Sequence, residues 1–260
     1  MRPTLTANIG NLQDYIRSIS SIPKFKPDAK KGGFPFITIS RLTGAGGHSL
    51  AEAILKAMDS EGDHDLFGGW QILDQELCKK VVEDPKLKVS LESLLTEKFL
   101  KEMEDYLSQV MVGTSSQIAV FHKIAEIVRT CAGLGKVMIV GRAGSLLTKD
   151  LPLGTHVRLV APHDSRVKTM MRQFNLTKDD AERQVHEQDH SRALLVKTYF
   201  SNKDINSPLL YDAVWNTDTV PIPSIAAFLV RLIKEKVESL KSFEPAMHVK
   251  LREFVQLYKL

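Results

Sequence analysis

Short apolar runs, each bounded by glycine or polar residues, recur along the chain and alternate with stretches of helical periodicity. The runs are FITIS (36–40), GWQILD (69–74), VMIVG (137–141), HVRLVA (156–161) and DAVWNT (212–217). Continuous apolar runs of this length, rich in β-branched residues, are typical of strands buried on both faces of a sheet. Helical patterns lie between them, over 48–59, in several pieces over about 76–131, and over 163–174, 177–200 and 223–243.

This alternation predicts an α/β fold, because parallel strands need crossover connections and those connections are usually helices. We predict three α/β/α layers around a five-stranded, mostly parallel sheet, with strand 36–40 at its centre. The main domain is expected to span 34–242. Residues 1–33 end in SIPKFKPDAKKGG, whose Pro, Lys and Gly content predicts an N-terminal extension and linker. Residues 243–260 form an expected helical tail, with Leu251, Phe254, Val255 and Tyr258 on one face.

Composition limits the classes of function only loosely. The chain has 260 residues, of which 43% are hydrophobic and 25% charged, an ordinary globular balance. Apolar runs such as 225–230 are too short to cross a bilayer, and the first residues lack the apolar stretch of a secretory signal. With Cys78 and Cys131 as the only cysteines, we expect no disulfide framework and a reducing, cytoplasmic location. The net charge of +4 suits small anionic ligands and is too weak to predict nucleic-acid binding.

A glycine-rich segment, SRLTGAGGHS (40–49), follows the first predicted strand and precedes a helix. Glycines allow backbone N–H groups to converge on a phosphate, and the helix N-terminus adds partial positive charge. Ser49 stands where a hydroxyl can bind Mg²⁺ beside the phosphates. The strict pattern G-x-x-x-x-G-K-[ST] is broken, since Arg41 replaces the first glycine and Gly47 the lysine, with His48 before the hydroxyl. The segment is either a phosphate-binding loop of altered chemistry or an ordinary tight turn.

A second feature is an arginine directly after a predicted buried strand. The segment VMIVGRAG (137–144) places Arg142 at the carboxyl end of that strand, which is the ligand-binding edge of a parallel sheet. An arginine there can hold a phosphate through two parallel hydrogen bonds. The alternative is a surface arginine in a loop.

Two charged helices are predicted over 161–200. Thr177, with Asp180 three residues later, resembles a capping box that begins the second helix. The arginines of this segment include Arg166, Arg172, Arg183 and Arg192. They either face an anionic ligand or belong to a solvated hairpin with ion pairs along its surface.

The second helix also contains the sequence His186-Glu187-Gln188-Asp189-His190, a match to H-E-x-x-H. Two histidines four residues apart on one helical face can hold Zn²⁺, with the glutamate as general base. A catalytic zinc needs a third protein ligand, and no glycine and third histidine follow at the expected spacing. The next glutamate is Glu235, beyond another predicted strand. A zinc hydrolase is therefore kept only as an alternative, and we expect no zinc.

Five segments taken in order resemble the cytidylate kinase-like branch of the P-loop nucleoside monophosphate kinases. They are ITISRLTGAGGHSLAEAIL, VMIVGRAG, HVRLVAPHDSRVKTMMRQ, DHSRALLVKTYF and YDAVWNT, and the resemblance extends over residues 36–230. The loop of this branch is typically S-R-x-x-G-S-G-G with a basic residue next. The missing lysine is therefore similar to the family pattern, and His48 falls on the basic position.

The resemblance implies roles for individual residues. On the donor side, Gly44, Ala45, Gly46, Gly47, His48 and Ser49 would hold the phosphates of ATP, with Ser49 as a Mg²⁺ ligand. Arg166 and Arg172 would act in catalysis, from a helical lid over about 163–203. On the acceptor side, Arg142, Asp189, Arg192 and Asp74 would bind a small phosphorylated molecule, since Asp189 and Arg192 match the D-x-x-R pair of cytidylate kinases.

These expectations lead to a P-loop kinase that uses ATP and Mg²⁺, most simply a nucleoside monophosphate kinase. Phosphoryl transfer requires that the protein position the reactants and place positive charge near the transition state, and glycine amides and arginines supply both. A nucleotide-binding regulatory domain, or a pseudokinase without efficient transfer, is the main alternative. An unrelated α/β binding protein is a further one.

Overall fold

The computed structural model describes residues 13, 15, 16, 19, 33–111, 116–201 and 203–239. The predicted tail, 243–260, and most of the predicted extension, 1–33, lie outside the described residues.

Five parallel strands form one sheet in the order β2-β3-β1-β4-β5. They are β1 (Phe36–Arg41), β2 (Gln71–Leu73), β3 (Val137–Val140), β4 (Gly154–Val160) and β5 (Ala213–Asn216). In the centre, β1 pairs with β3 on one side, where Thr38 lies opposite Ile139, and with β4 on the other, where Ser40 lies opposite Arg158. The five predicted strands and the central place of the first are therefore confirmed.

Helices cover both faces of the sheet. Those described are α1 (Gly47–Asp59), α2 (His64–Phe67), α3 (Gln75–Glu83), α4 (Pro85–Glu92), α5 (Glu97–Val110), α6 (Ser116–Leu134), α7 (Gly144–Leu147), α8 (His163–Phe174), α9 (Lys178–Tyr199) and α10, over 222–239. Helix α1 buries Leu50, Ala51, Ile54 and Met58 along one face, which is the spacing of an amphipathic helix. Within the described ranges, no helix combines the length and apolarity that a bilayer span requires.

The two faces of the sheet pack in two separate hydrophobic cores. In β3, Val137 and Ile139 belong to the core under α3, α5 and α6, whereas Met138 and Val140 belong to the core under α1 and α10. Successive side chains of a strand point to opposite faces, so a strand covered on both sides must be apolar at every position. This is the physical origin of the continuous apolar runs, and the three-layer α/β/α fold is confirmed.

Helices α8 and α9 form the expected hairpin, which has a small apolar cluster of its own. Val167, Met170, Ala181 and Val185 make up that cluster, while Val196 near the end of α9 packs into the main core. The Thr177 hydroxyl accepts a hydrogen bond from the Asp180 N–H at 3.2 Å, as predicted for the start of the second helix. The hairpin is thus anchored to the domain at the C-terminal end of α9.

The predicted N-terminal extension contributes to the core. Tyr15 and Ile19 are helical, each is 1% exposed, and both pack in the cluster that contains α6. The Tyr15 hydroxyl donates a hydrogen bond to the Gly135 carbonyl at 2.6 Å. Tyr15 and Ile19, which fall within the predicted extension, therefore contribute to the core of the domain.

Candidate functional site

The glycine loop occupies the junction between β1 and α1, where the sequence places it. Gly44 and Gly46 have φ angles of +81° and +86°, a left-handed conformation that glycine adopts without steric cost, and α1 begins at Gly47. A methyl group on Gly44 would lie only 2.6 Å from the Arg166 carbonyl oxygen. Two demands, backbone angle and close packing, therefore fix glycine at position 44.

Several backbone N–H groups of the loop have no acceptor among the described residues. They belong to Gly44, Gly46, Gly47, His48 and Ser49. The Ala45 N–H differs, because it donates to the Leu42 carbonyl inside the loop at 3.2 Å. Open amides at the start of a 13-residue helix form the arrangement that binds phosphate in proteins, so the loop has donors for an anion at five of its six predicted positions.

Asp189 binds the residue that precedes the glycines of the loop. Its Oδ1 accepts hydrogen bonds from the Thr43 N–H at 2.7 Å and the Thr43 hydroxyl at 2.8 Å, and its Oδ2 accepts from Arg166 at 2.7 Å. Arg192 Nη1 also donates to Asp189 at 3.1 Å and to the Thr43 hydroxyl at 2.5 Å. One carboxylate thereby ties α8 and α9 to the residue that precedes the glycines.

The two predicted lid arginines lie in different environments. Arg166 is 8% exposed; its Nε donates to the Ala161 carbonyl, and its Nη1 donates to the Thr43 carbonyl and to Asp189 beneath the loop. Arg172 is exposed and makes no hydrogen bond or ion pair with the described residues. Arg166 thus supports the loop in this structure, and a catalytic contact by either arginine stays a prediction.

Arg142 sits in a strained turn at the carboxyl end of β3. Gly141, Arg142 and Ala143 have φ angles of +85°, +54° and +52°, so two non-glycine residues adopt the left-handed conformation in succession. Such strain is concentrated at functional sites in proteins. Arg142 Nη2 donates to Gln75 at 2.7 Å, its buried Nε has no partner, and burial lowers its pKa.

A cavity of about 90 Å³ opens beside this turn, at the carboxyl edge of the sheet. Its polar wall includes Ser40, Arg41, Gln75, Arg142, Ser145 and Arg192, and its apolar wall includes Leu146, Leu195, Val196, Ile205 and Tyr211. An adjoining depression shares Arg41 and Arg192 and adds Arg158 and Asp189. The structure therefore brings the predicted acceptor residues Arg142, Asp189 and Arg192 together near the loop.

Residues 36–219, more than two thirds of the chain, match the model of the cytidylate kinase-like family. The chain belongs to the cytidylate kinase-like family. Membership supports nucleotide-dependent phosphoryl transfer in general terms and confirms the resemblance on which the residue assignments were made. No protein of curated function matches the sequence.

Solved structures share the fold of this family member at low sequence identity. An uncharacterized protein from Eubacterium ventriosum has 17% identity and a TM-score of 0.59, over 77% of this chain and 98% of its own. A shikimate kinase from Bacteroides thetaiotaomicron has 11% identity and a TM-score of 0.42, over 77% and 98% respectively. The first similarity shows the fold alone, and the second is too weak to support an argument.

Two arginines of this cytidylate kinase-like chain were not predicted as site residues. Arg41 lines the cavity, and Arg158 on β4 is 3% exposed and donates to Ser40 at 2.8 Å and to Asn206 at 2.8 Å. A sequence signal existed for each. Arg158 is a charged residue inside a strand that is predicted to be buried on both faces, and Arg41 stands at the carboxyl end of the central strand.

The basic residue of the loop, His48, faces the predicted acceptor residue Asp74. His48 Nε2 lies 3.6 Å from Asp74 Oδ2, while Asp74 Oδ1 caps α3 by accepting from the Leu77 N–H at 2.9 Å. Burial opposes ionisation of Asp74, but the contacts with His48 and Leu77 outweigh it and hold the pKa of the carboxyl below its usual value. Asp74 thus carries a negative charge beside the loop and precedes Gln75, which lines the cavity.

His186 and His190 lie side by side on α9, with nearly parallel rings whose centroids are 6.2 Å apart. In the part of the chain that the structure describes, no group of three or more His, Cys, Asp or Glu side chains is arranged to hold a metal ion. Asp189, which lies within the H-E-x-x-H sequence, is engaged with Thr43 and two arginines.

Proposed function

We propose that this chain transfers a phosphoryl group from ATP to a small phosphorylated acceptor, most simply a nucleoside monophosphate. The observation that carries the proposal is the common location of two anion-binding features. The glycine loop with its open amides and the arginine-lined cavity lie at the same edge of the sheet and share the Thr43–Asp189–Arg192 contacts.

On the donor side, the open N–H groups of the loop and the N-terminus of α1 suit the phosphates of ATP. The Ser49 hydroxyl makes no hydrogen bond with the described residues, so it is free to serve as a Mg²⁺ ligand. A Mg²⁺ ion bound there would offset the negative charge that develops during transfer. In this assignment the residues that bind the phosphates of ATP are Gly44, Gly46, Gly47, His48 and Ser49. Ala45 has a conformational role.

On the acceptor side, Arg142 and Arg192 supply the charge that recognises a phosphate. Arg142 has an unpartnered Nε and a single hydrogen bond to Gln75, so it can turn toward a ligand with little loss. The apolar wall of the cavity suits the uncharged part of the acceptor. Asp74 lies on the same side and is proposed to orient the acceptor through His48 or Gln75.

In the transfer step, an acceptor oxygen attacks the terminal phosphorus of ATP. The new P–O bond forms as the bond to the bridging oxygen breaks, and ADP leaves with the electron pair of that bond. We assign Arg166 to holding the loop in place and Arg172 to contacting the transferring group when the α8–α9 hairpin closes. The buried free cysteines Cys78 and Cys131 fit a reducing compartment, so we also propose a cytoplasmic location.

The proposal is tested by incubating purified protein with ATP, Mg²⁺ and a panel of acceptors, each offered with and without a phosphate group. We expect ADP to form only when a phosphorylated acceptor is present. ATP binding without turnover on any acceptor would instead identify a regulatory domain or pseudokinase. Failure to bind ATP would reject the donor site itself.

A further inference from the structure

The glycine loop of this chain lacks a cation at the position where such loops carry lysine. Gly47 occupies that position and has no side chain, while His48 turns toward Asp74 and is 53% exposed. A phosphate bound at the loop would therefore meet amides but no lysine. The charge must come from another element if the loop is to support transfer.

Arg41, the last residue of β1, reaches the place where that charge is needed. A methyl group on Gly47 would lie 3.1 Å from Arg41 Cγ and Cδ, and one on Gly141 would overlap the Arg41 guanidinium. The side chain therefore runs beneath the start of α1 and ends beside the turn that carries Arg142. The absence of side chains at Gly47 and Gly141 opens this path.

Arg41 is also the member of the arginine group that lacks a partner. Arg142, Arg158, Arg166 and Arg192 each donate at least one hydrogen bond to a side chain or carbonyl. The Arg41 side chain makes no hydrogen bond or ion pair with the described residues, although it lines the cavity and the adjoining depression. Its donors are therefore available to a ligand that enters from either side.

The surroundings of Arg41 disfavour its charge in the free protein. Burial, with Arg192 and Arg142 nearby, lowers the pKa of Arg41 to about 9, which still leaves the guanidinium protonated at neutral pH. Asp74 and Asp189 oppose this effect in part, but neither carboxylate lies within ion-pair distance of Arg41, so the buried charge remains a cost to the folded state. A bound anion would remove that cost.

We propose that the Arg41 guanidinium contacts the phosphoryl group in transfer and supplies the positive charge that a loop lysine would otherwise supply. The inference rests on the proposed function and extends it by naming the group that neutralises the terminal phosphate. Arg41 stands between the donor loop and the acceptor cavity, so its charge acts on the oxygens of the phosphorus whose bond to ADP breaks as the bond to the acceptor forms. No proton passes through Arg41 in this step.

The inference is tested by calorimetric titration with two ligands, ADP and the non-hydrolysable β,γ-imido analogue of ATP. Each is titrated with Mg²⁺ into wild type, Arg41→Gln and Arg41→Lys. The two nucleotides differ by the terminal phosphate that Arg41 is proposed to contact. In Arg41→Gln we expect the Kd of the ATP analogue to rise at least about tenfold, the scale of one hydrogen bond to a charged group, with ADP changed by less than about threefold. Arg41→Lys should recover part of the lost preference.

Arg231→Gln is the matched control, since it removes the same charge from α10, where the side chain is 80% exposed and paired with Glu235. It should leave both affinities within about threefold of wild type, as expected for a screened surface charge. Thermal melting gives a second readout. Because Arg41 has no partner to lose, Arg41→Gln should melt no lower than wild type.

If Arg41→Gln lost affinity equally for the ATP analogue and for ADP, the inference would be overturned, because Arg41 would then affect the whole site and not the terminal phosphate. Unchanged affinities would overturn it too, as would a lower melting temperature that indicates a structural role. Each of these results leaves the proposed function standing as long as wild type binds the ATP analogue. If wild type binds neither nucleotide, the proposed function fails and this inference fails with it.

Discussion

At the scale of single residues, Asp189 shows how one carboxylate can organise a site. It receives two hydrogen bonds from Thr43 and one each from Arg166 and Arg192, so four donors from three segments converge on two oxygens. Hydrogen bonds between charged groups are about twice as strong as neutral ones, and the partners of a buried carboxylate lose their compensation when it is removed. Asp189 therefore fixes both the loop that is proposed to hold ATP and the arginine that is proposed to hold the acceptor.

The arginines should divide into two kinetic classes if the proposed function is right. Arg142→Gln removes an acceptor contact, so we expect the acceptor KM to rise about tenfold or more with kcat nearly unchanged. Arg172→Gln removes charge that acts only in the transition state, so kcat should fall, by on the order of 10³-fold where the arginine acts as a finger. Steady-state kinetics with the best acceptor measures both. Equal effects of the two substitutions on KM and kcat would reject the division.

His156 should make the protein sensitive to mild acid. Burial is the main cause that lowers the pKa of His156 to about 4, from 6.5 when unfolded, and its ring lies 2.9 Å from the Thr38 hydroxyl. Between these values the unfolded chain binds a proton that the folded chain does not, so stability is complete above pH 6.5 and falls toward pH 4. The slope from this one group is up to about 1.4 kcal/mol per pH unit.

Urea unfolding of wild type and His156→Gln at pH 7, 5.5 and 4.5 checks this prediction. The variant lacks the titrating ring, so its stability should decline less steeply over the range, whatever its stability at pH 7. Asp212 accepts from the His156 backbone N–H; burial opposes its ionisation, but the contacts with Lys236 and this N–H hold its pKa below its usual value and so below the pH range of the experiment. Parallel curves would show that His156 does not titrate on unfolding.

At the scale of elements, the sheet and the loop were predictable because both are local in sequence. The continuous apolar runs marked the strands, and glycines between a strand and a helix marked the loop. The contacts that hold the loop were not predictable in the same way, since Thr43 and Asp189 are 146 residues apart. Asp189 and Arg192 were found through a motif, but only the structure shows that they bind the loop. The place of Arg41 at the carboxyl end of the central strand is readable from the sequence, but the path of its side chain depends on the open space at Gly47 and Gly141, which no local pattern expresses.

The loop conformation gives a prediction with a close control. Gly44→Ala places an alanine in the left-handed backbone conformation, which costs about 1–2 kcal/mol. It also brings a methyl group against the Arg166 carbonyl. Gly62→Ala makes the same chemical change where φ is not positive and no atom lies within 4 Å. We expect Gly44→Ala to lower both the free energy of unfolding and the affinity for the ATP analogue, the latter by about tenfold or more.

Denaturant unfolding and calorimetry on the two glycine variants provide the measurement. Gly62→Ala should match wild type in both, within about 0.5 kcal/mol for stability, as is usual for exposed positions. If Gly44→Ala kept the wild-type affinity, the close approach of α8 to the loop would have no bearing on binding, and the proposed donor site would lose its main structural support.

At the scale of the whole molecule, the domain is larger than the segment that matches the family. The match begins at residue 36, yet Tyr15 and Ile19 fill the core on one face of the sheet. Pro, Lys and Gly dominate the residues just before β1 and predict an extension and linker. The packing of Tyr15 and Ile19 was not predictable in this way. Helical residues gain most of their stability from the apolar surface that they cover, and that surface is not visible in their own sequence.

The N-terminal residues should therefore be needed for stability. Tyr15→Ala empties a fully buried aromatic position and should cost about 3–5 kcal/mol of unfolding free energy. Tyr15→Phe keeps the ring and removes the hydroxyl that donates to the Gly135 carbonyl, at a cost of about 1–2 kcal/mol. Gln13→Ala, on an exposed position of the same segment, should change stability by less than about 0.5 kcal/mol. Urea unfolding followed by circular dichroism ranks the three variants, and a Tyr15→Ala protein as stable as Gln13→Ala would show that the segment does not belong to the domain.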